Sequence, residues 1–204
     1  MVSVTFVSMF HLKSSAKRST LPLKPRRCSL VLTRGRVQVV MSFQVIQVPV
    51  QSDTAIELIS ELESELRRDY PPHYIHDFDL TAFDASQGIF MISYSGDVPM
   101  GCLALRPLEK STAELKRMFV RPSYRGQGAA RIMLVQMEQL ATDQGFTQIV
   151  LETGNRQLAA IRLYRSSGYA PIEPYSEQTD GPASVCFRKV LCLETEFTDS
   201  STQR

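Results

Sequence analysis

Hydrophobic positions from residue 43 onwards follow two spacings, one typical of β-strands and the other typical of helices. Alternating or β-branched apolar runs predict strands at 43–48, 88–95, 98–105, 113–120, 148–153 and 184–193. Apolar residues three or four positions apart predict helices after Ser52, from about Ala130 to Gly145, and from Leu158 to Gly168. The pattern therefore predicts one interleaved α/β domain without internal repeats.

The predicted strand at 113–120 changes its apolar face part-way along. Ala113 and Leu115 fall on one face, whereas Met118 and Val120 fall on the other. Because side chains alternate strictly along a strand, one extra residue in the ladder would return all four to the same face. The sequence therefore predicts a β-bulge between Leu115 and Met118.

Charged residues are distributed unevenly along the 204-residue chain, whose formal net charge is +2. All 21 acidic residues lie after residue 41, whereas eight of the 23 basic residues precede residue 42, so residues 42–204 carry a formal charge of −6. Nucleic acids and anionic membranes are bound by clustered Lys and Arg. We therefore predict neither nucleic acid nor a membrane as a partner.

The chain divides into a basic leader at 1–41, one domain at 42–194 and a polar tail at 195–204. The leader is rich in Ser and Arg, lacks acidic residues, and is predicted to be disordered. Two interpretations stay open: an organellar transit peptide, or a translated segment upstream of a true start at Met41. The protein is predicted to be cytoplasmic, or to reach a mitochondrion or plastid if the leader is a genuine transit peptide.

Residues 120–130 lead from a predicted strand through a basic loop into a predicted helix. Gly126 and Gly128 would let the backbone approach an anion, and the start of the helix adds positive charge. Such a loop alone is more often only a turn. The lysine of a P-loop is missing, and the dinucleotide-binding fingerprint lacks its third glycine at the required spacing.

Together with a downstream segment, this loop resembles the GNAT superfamily of N-acetyltransferases over about residues 43–193. The family's Q/R-x-x-G-x-G/A loop is present at 125–130, and an A-x-x-L-Y-x-x-x-G-Y helix is present at 160–169. The resemblance implies an α/β fold whose mixed sheet has splayed central strands. It also implies an acyltransferase that transfers the acetyl group of acetyl-CoA, its cosubstrate, to a primary amine by direct attack in a ternary complex. The four cysteines show neither a C-x-x-C pair nor zinc spacing and are interpreted as reduced thiols of an intracellular protein.

The resemblance also implies a cofactor site. In GNAT enzymes the pantetheine arm of CoA lies between the splayed strands, and the pyrophosphate rests on the amides of the glycine-containing loop. The cofactor-binding residues implied here are Met118, Phe119, Val120, Arg125, Gly126, Gln127, Gly128, Ala129, Ala130, Asn155 and Tyr164.

Two residues are candidates for proton transfer. Glu114 lies on the strand where several GNAT enzymes have a glutamate that takes the acceptor's proton; a surface or ion-pairing role beside Lys116, with proton relay by solvent, is the alternative. Tyr164 matches the family's tyrosine, which donates a proton to the departing thiolate; packing in the core is the alternative. A phenol with an ordinary pKa of about 10 keeps its proton at neutral pH.

The acceptor is predicted to contact the segment that follows the first helix, which contains His73, Tyr74 and His76, together with Lys116. A plain proline-rich connection is the alternative for this segment. No metal is predicted, because the two histidines have no third histidine outside the leader.

The acceptor's identity is left open between a small molecule and a peptide. A non-catalytic acyl-CoA sensor, or a protein-interaction module on the same fold, is the competing function, because one fold serves many functions. A homodimer is also left open, since dimers are common among GNAT proteins and no residue here decides the question.

Overall fold

The computed structural model describes residues 31–33, 36–38, 43–75, 78–179 and 181–191. Its strands are β1 (Val31–Thr33), β2 (Arg36–Gln38), β3 (Gln44–Gln47), β4 (Ile89–Ser95), β5 (Val98–Pro107), β6 (Thr112–Val120), β7 (Gln148–Gly154), β8 (Ala170–Ile172) and β9 (Ser184–Val190). Its α-helices are α1 (Asp53–Asp69), α2 (Leu80–Ala85), α3 (Ala129–Asp143) and α4 (Leu158–Ser166). Short 3-10 turns lie at Pro72–Tyr74, Pro122–Tyr124 and Glu177–Thr179. None of the described helices combines the length and the apolar character that a membrane span requires.

The predicted strands and long helices are confirmed, whereas the short strands β1, β2 and β8 and the short helix α2 were not predicted. Helix α2 has six residues and is capped by Asp79, whose carboxylate accepts a hydrogen bond from the N–H of Ala82. Strand β8 has three residues and pairs with β9. Neither element is long enough to show a hydrophobic period.

Seven strands form one mixed sheet in the order β3-β4-β5-β6-β7-β9-β8. Strands β6 and β7 run parallel, and the other neighbouring pairs run antiparallel. Strands β1 and β2, from the basic leader, pair only with each other. The rest of the leader and the 195–204 tail lie outside the described residues, and their predicted character stays a prediction.

The parallel strands β6 and β7 separate part-way along their length. Residues 112–115 of β6 pair with residues 148–151 of β7, and the pairing stops there although both strands continue. The predicted bulge lies just beyond this point. Cys102 of β5 pairs with Phe119 and Ala104 pairs with Lys116, so one residue of β5 faces two of β6, and Arg117 has a φ of 55°.

Hydrophobic side chains cover both faces of the sheet. On one face α3 and α4 pack on the sheet through buried residues such as Met133, Met137, Leu151 and Tyr164. On the other face α1 and α2 pack through residues that include Leu58, Phe83 and Phe119. Burial of each large side chain contributes roughly 1.5–3 kcal/mol. This packing fixes which side chains of β6 and β7 face each layer.

Candidate active site

A cavity of about 410 Å³ opens where β6 and β7 separate. Residues 115–118 of β6 and 152–154 of β7 form its two sides. The end of α1 and the turn after it cover one part, and Tyr164 of α4 reaches it from the opposite layer. Residues 181–184 and Glu177 form the remaining wall. We refer to this cavity as the cleft.

The loop before α3 has the backbone conformation that its glycines suggest. Gly126 and Gly128 have φ values of 75° and 88°, in the left-handed region that other residues seldom adopt. The N–H of Ile132 bonds to the carbonyl of Gly128. The amides of residues 129–131 therefore begin the helix without an intrahelical acceptor and are available to an anion.

The side chains of Arg125 and Gln127 in this loop form hydrogen bonds with other residues of the chain. Gln127 donates from Nε2 to the Ser123 carbonyl over 3.2 Å. Arg125 donates from Nε to the Val120 carbonyl at 2.8 Å and from Nη2 to both oxygens of Glu65, at 2.7 and 2.8 Å. The guanidinium of Arg125 thus fastens the loop to the end of β6 and to α1.

A second arginine, not singled out in the sequence, adds to this attachment. Arg121 donates two hydrogen bonds to one oxygen of Glu61, at 3.1 and 2.6 Å, and one to its other oxygen at 2.9 Å. It also bonds to Glu57 at 2.7 Å and to the Pro99 carbonyl at 2.8 Å. Hydrogen bonding to Glu61 raises the pKa of Arg121. The spacing of Glu57, Glu61 and Glu65, four residues apart on one helix, was the available sequence signal.

Tyr164 lies in the wall of the cleft with only 3% of its surface exposed. Its ring contacts Tyr169 edge-on, with ring centroids 5.7 Å apart. Burial raises the pKa of the Tyr164 phenol. The phenol therefore keeps its proton at neutral pH and is able to donate it.

Glu114 is buried, with 2% of its surface exposed, and its carboxylate is surrounded by donors. Arg106 donates at 2.6 Å, Lys116 at 3.1 Å and the Tyr175 hydroxyl at 2.9 Å. Burial raises the pKa of the Glu114 carboxyl, but the charges of Lys116 and Arg106 outweigh burial and hold it below the usual range. Glu114 does not belong to the residues that line the cleft.

Glu152 does line the cleft, although the sequence did not single it out. The hydroxyl of Ser184 donates to Glu152 Oε1 at 2.5 Å. Among the described residues no Lys or Arg forms an ion pair with this carboxylate. The signal available in the sequence was one acidic residue that interrupts a buried apolar run, Ile149-Val150-Leu151.

Three of the four predicted acceptor-binding residues line the cleft. His73 and Tyr74 line it with ring centroids 4.2 Å apart, and Lys116 lines it while its ammonium pairs with Glu114. His76 lies outside the described residues. The described part of the chain contains no group of His, Cys, Asp and Glu side chains that could hold a metal.

The remaining predicted cofactor residues lie along the strands. Met118 lines the cleft, whereas the side chains of Phe119 and Val120 are buried in the cores on opposite faces of the sheet. Asn155 follows β7 and bonds to the closing wall, from its N–H to the Ala183 carbonyl at 2.7 Å and from Nδ2 to the Pro182 carbonyl at 3.3 Å.

Tyr70, at the end of α1, is a further residue that sequence analysis missed. Its hydroxyl accepts a hydrogen bond from the N–H of Arg156 at 2.7 Å. A Cβ at Gly154 would overlap the phenol of Tyr70, so this position of β7 has room only for glycine. The contact fixes the end of α1 against the mouth of the cleft.

Comparison with known proteins decides the family. The sequence pattern of the Acetyltransferase (GNAT) family matches residues 55–169. The chain belongs to the GNAT acetyltransferase family. The "IAA acetyltransferase" of Azospirillum brasilense is 33% identical over 140 residues, which are 68% of this chain and 92% of that protein.

Solved structures show the same GNAT fold. A Klebsiella pneumoniae protein assigned as an acyl-CoA N-acyltransferase superposes with a TM-score of 0.66 at 26% identity, covering 74% of this chain and 98% of that one. A GNAT acetyltransferase from Elizabethkingia anophelis, solved with acetyl-CoA bound, has a TM-score of 0.56 at 16% identity, with 73% and 98% covered. The predicted fold with splayed central strands and the predicted GNAT acetyltransferase class are thereby confirmed.

Proposed function

We propose that this GNAT protein transfers the acetyl group of acetyl-CoA to a primary amine of a small molecule or peptide, by direct attack within a ternary complex. The observation that carries the proposal is the cleft between β6 and β7, which has the Tyr164 phenol in its wall. A cleft that opens the middle of a sheet offers unpaired backbone groups to an extended, amide-containing molecule such as pantetheine.

The proposed cofactor site follows the cleft to the start of α3. The main chain of residues 118–120 pairs with the pantetheine arm, and Asn155 contacts that arm from β7. The amides of residues 126–131 bind the pyrophosphate, favoured by the helix dipole. Arg125 contributes mainly by holding the loop in shape, because Val120 and Glu65 already occupy its guanidinium.

The proposed chemistry requires two proton transfers. A carboxylate takes a proton from the acceptor's ammonium, and the amine nitrogen then attacks the thioester carbon. Collapse of the tetrahedral oxyanion breaks the C–S bond, and the Tyr164 phenol protonates the departing thiolate. The second nitrogen proton returns to the tyrosinate through solvent, so that one proton is released overall. Glu114 is the carboxylate predicted from the sequence, and its role stays a prediction.

The acceptor is proposed to enter between the turn after α1 and the closing wall, beside His73, Tyr74 and Lys116. Their side chains contribute aromatic rings and hydrogen-bonding groups to the lining of the cleft. The acceptor panel contains amino acids, polyamines and peptide N-termini, all of which carry a primary amine.

Calorimetric titration of the full chain with acetyl-CoA and with CoA tests the cofactor site. We expect binding that the Gly128→Glu variant abolishes, because a carboxylate at the start of α3 would repel the pyrophosphate. Gly145→Glu is the matched control: its φ is 86° against 88° at Gly128, and an added Cβ meets no atom within 4 Å at either site. It lies at the opposite end of α3, roughly 20 Å away by helix rise.

Two outcomes would contradict the proposed cofactor site: no binding by the wild-type chain, or equal binding by wild type and Gly128→Glu. Acetyl-CoA binding without release of CoA in the presence of any acceptor of the panel would instead favour the non-catalytic sensor. A CoA-release assay across the panel separates these cases.

A further inference from the structure

Two glutamates lie near the point where β6 and β7 separate, and their surroundings differ. Arg106, Lys116 and Tyr175 donate to the Glu114 carboxylate, which is buried behind the wall of the cleft. To accept a proton, this carboxylate would have to give up part of that hydrogen bonding and leave two cations beside a neutral group. Its place in the fold therefore suits a fixed negative charge.

Glu152 has the opposite environment. Its carboxylate lines the cleft, is half-buried, and receives a hydrogen bond from the neutral hydroxyl of Ser184. Among the described residues no Lys or Arg lies within ion-pair distance of it, so an arriving ammonium would have to displace none of them. An ion pair with that ammonium would orient the amine for proton transfer.

The direction in which Glu152 points also suits this role. Ile149 and Leu151 of β7 pack in the core formed with α3 and α4. Since side chains alternate along a strand, Glu152 and Gly154 point to the opposite face, where Tyr70 of α1 packs on Gly154. Tyr164 comes from the α4 layer. The Glu152 carboxylate and the Tyr164 phenol thus approach the cleft from opposite sides of the sheet.

We propose that the carboxylate of Glu152, and not that of Glu114, receives the acceptor's ammonium and takes its proton, while Glu114 is a positioning residue that holds Tyr175. This inference rests on the proposed acetyl transfer. One N–H bond of the ammonium breaks as the O–H bond of the Glu152 carboxyl forms. The freed lone pair attacks the thioester carbon, and the carboxyl later returns the proton to water.

Other charged and titratable groups face the same space. Lys116, Arg117, His73 and Glu177 line the cleft with Glu152. Burial raises the pKa of the Tyr175 phenol, and the charges of Glu114 and, to a smaller extent, Glu152 raise it further. Burial also raises the pKa of the Cys186 thiol, and the charge of Glu152 adds to that increase. Tyr175 and Cys186 therefore stay protonated in the range where a carboxylate titrates, and they do not compete as bases.

Glu114 is assigned a positioning role because its carboxylate holds Tyr175 in place. The Tyr175 hydroxyl bonds to it at 2.9 Å, and the Thr179 hydroxyl accepts hydrogen bonds from the N–H groups of Tyr175 and Ser176, at 3.1 and 3.0 Å. The segment 175–179, which contributes Glu177 to the cleft wall, is therefore anchored to β6 through one carboxylate. Loss of this anchor would weaken acceptor binding and leave proton transfer in place.

The test compares pH profiles of kcat/KM for Glu152→Gln and Glu114→Gln, with Glu109→Gln as the matched control because Glu109 is exposed in the turn before β6. For wild type we expect the rate to rise with pH through the titration of the base. Glu152→Gln should lower kcat at least about 10²-fold and lose this rise, with acetyl-CoA affinity unchanged. Glu114→Gln should raise KM for the acceptor several-fold and keep the rise.

Tyr175→Phe removes the hydrogen bond between Tyr175 and Glu114 and leaves both glutamates in the chain. This variant replaces Glu114→Gln in the test if Glu114→Gln does not fold. It should likewise raise KM for the acceptor and keep the pH profile. The proposal is overturned if Glu152→Gln retains the wild-type profile, or if Glu114→Gln alone loses the rise. Absence of acetyl-CoA binding by wild type would instead mean that the proposed function fails.

Discussion

The two ends of the cleft are built in different ways. The end proposed for the cofactor's phosphates comes from nearly continuous chain: the end of β6, the loop at 125–130 and the start of α3. The end proposed for the acceptor is assembled from the turn after α1, the end of β7 and the wall formed by Glu177 and residues 181–184, which are far apart in sequence. A site on contiguous chain can be inferred from a motif, whereas an assembled site becomes visible only in the fold.

The largest effect is expected at Tyr164, which lies between the two ends. Tyr164→Phe should lower kcat by about 10²-fold or more, because the thiolate loses its proton donor while the ring still fills its place. The affinity for acetyl-CoA should stay within about twofold of wild type. Steady-state kinetics and calorimetry measure the two quantities.

Tyr169→Phe is the control for this variant, because Tyr169 is buried in the same core but is not on the cleft wall. An equal loss of kcat in both variants would show that the hydroxyls matter for packing, and would remove Tyr164 from the chemistry.

An intermediate effect, on the free energy of unfolding, is expected at the contact between Gly154 and Tyr70 beside the acceptor end of the cleft. Gly154→Ala should lower the free energy of unfolding by about 1–3 kcal/mol, because its Cβ would overlap Tyr70. Gly181→Ala is the control, since its Cβ would lie 3.5 Å from the Ser184 hydroxyl, an ordinary contact. Equal thermal unfolding midpoints for both variants would mean that α1 shifts freely and does not fix this end.

Much of the fold could be predicted from the sequence, because its strands and long helices carry clear hydrophobic periods. The bulge in β6 followed from the change of face between Leu115 and Met118, and the structure confirms it. Helix α2 and strand β8 were missed because they are too short for a period. Asp79, an N-cap that bonds to Ala82, was the only local indication of α2.

The candidate site could be predicted only where its residues lie in a motif. Gly128 and Tyr164 belong to recognisable patterns, whereas Glu152 and Tyr175 acquire their roles from partners that the chain brings near by folding. Tyr175 is 61 residues away from Glu114, to which it bonds. Sequence spacing carries no information about such a pair.

The smallest effect is expected at the arginines that fasten the phosphate end to α1. Arg121→Met should cost about 1–2 kcal/mol of unfolding free energy, because several charge-assisted hydrogen bonds to a mostly buried guanidinium are lost. Arg125→Met should cost less than about 1 kcal/mol, because 45% of that side chain is exposed. Urea unfolding measures both values, and the reverse order would contradict this ranking.

The separation of β6 and β7 has a consequence for the stability of the folded protein. A sheet normally has two outer edges, but one that opens in its interior also exposes backbone N–H and C=O groups on two inner ones. Such groups attract stray strands from other chains. A ligand that binds only the folded state stabilises it in proportion to the logarithm of its concentration. If acetyl-CoA occupies the cleft as proposed, a higher acetyl-CoA concentration would therefore raise the free energy of unfolding as well as the rate.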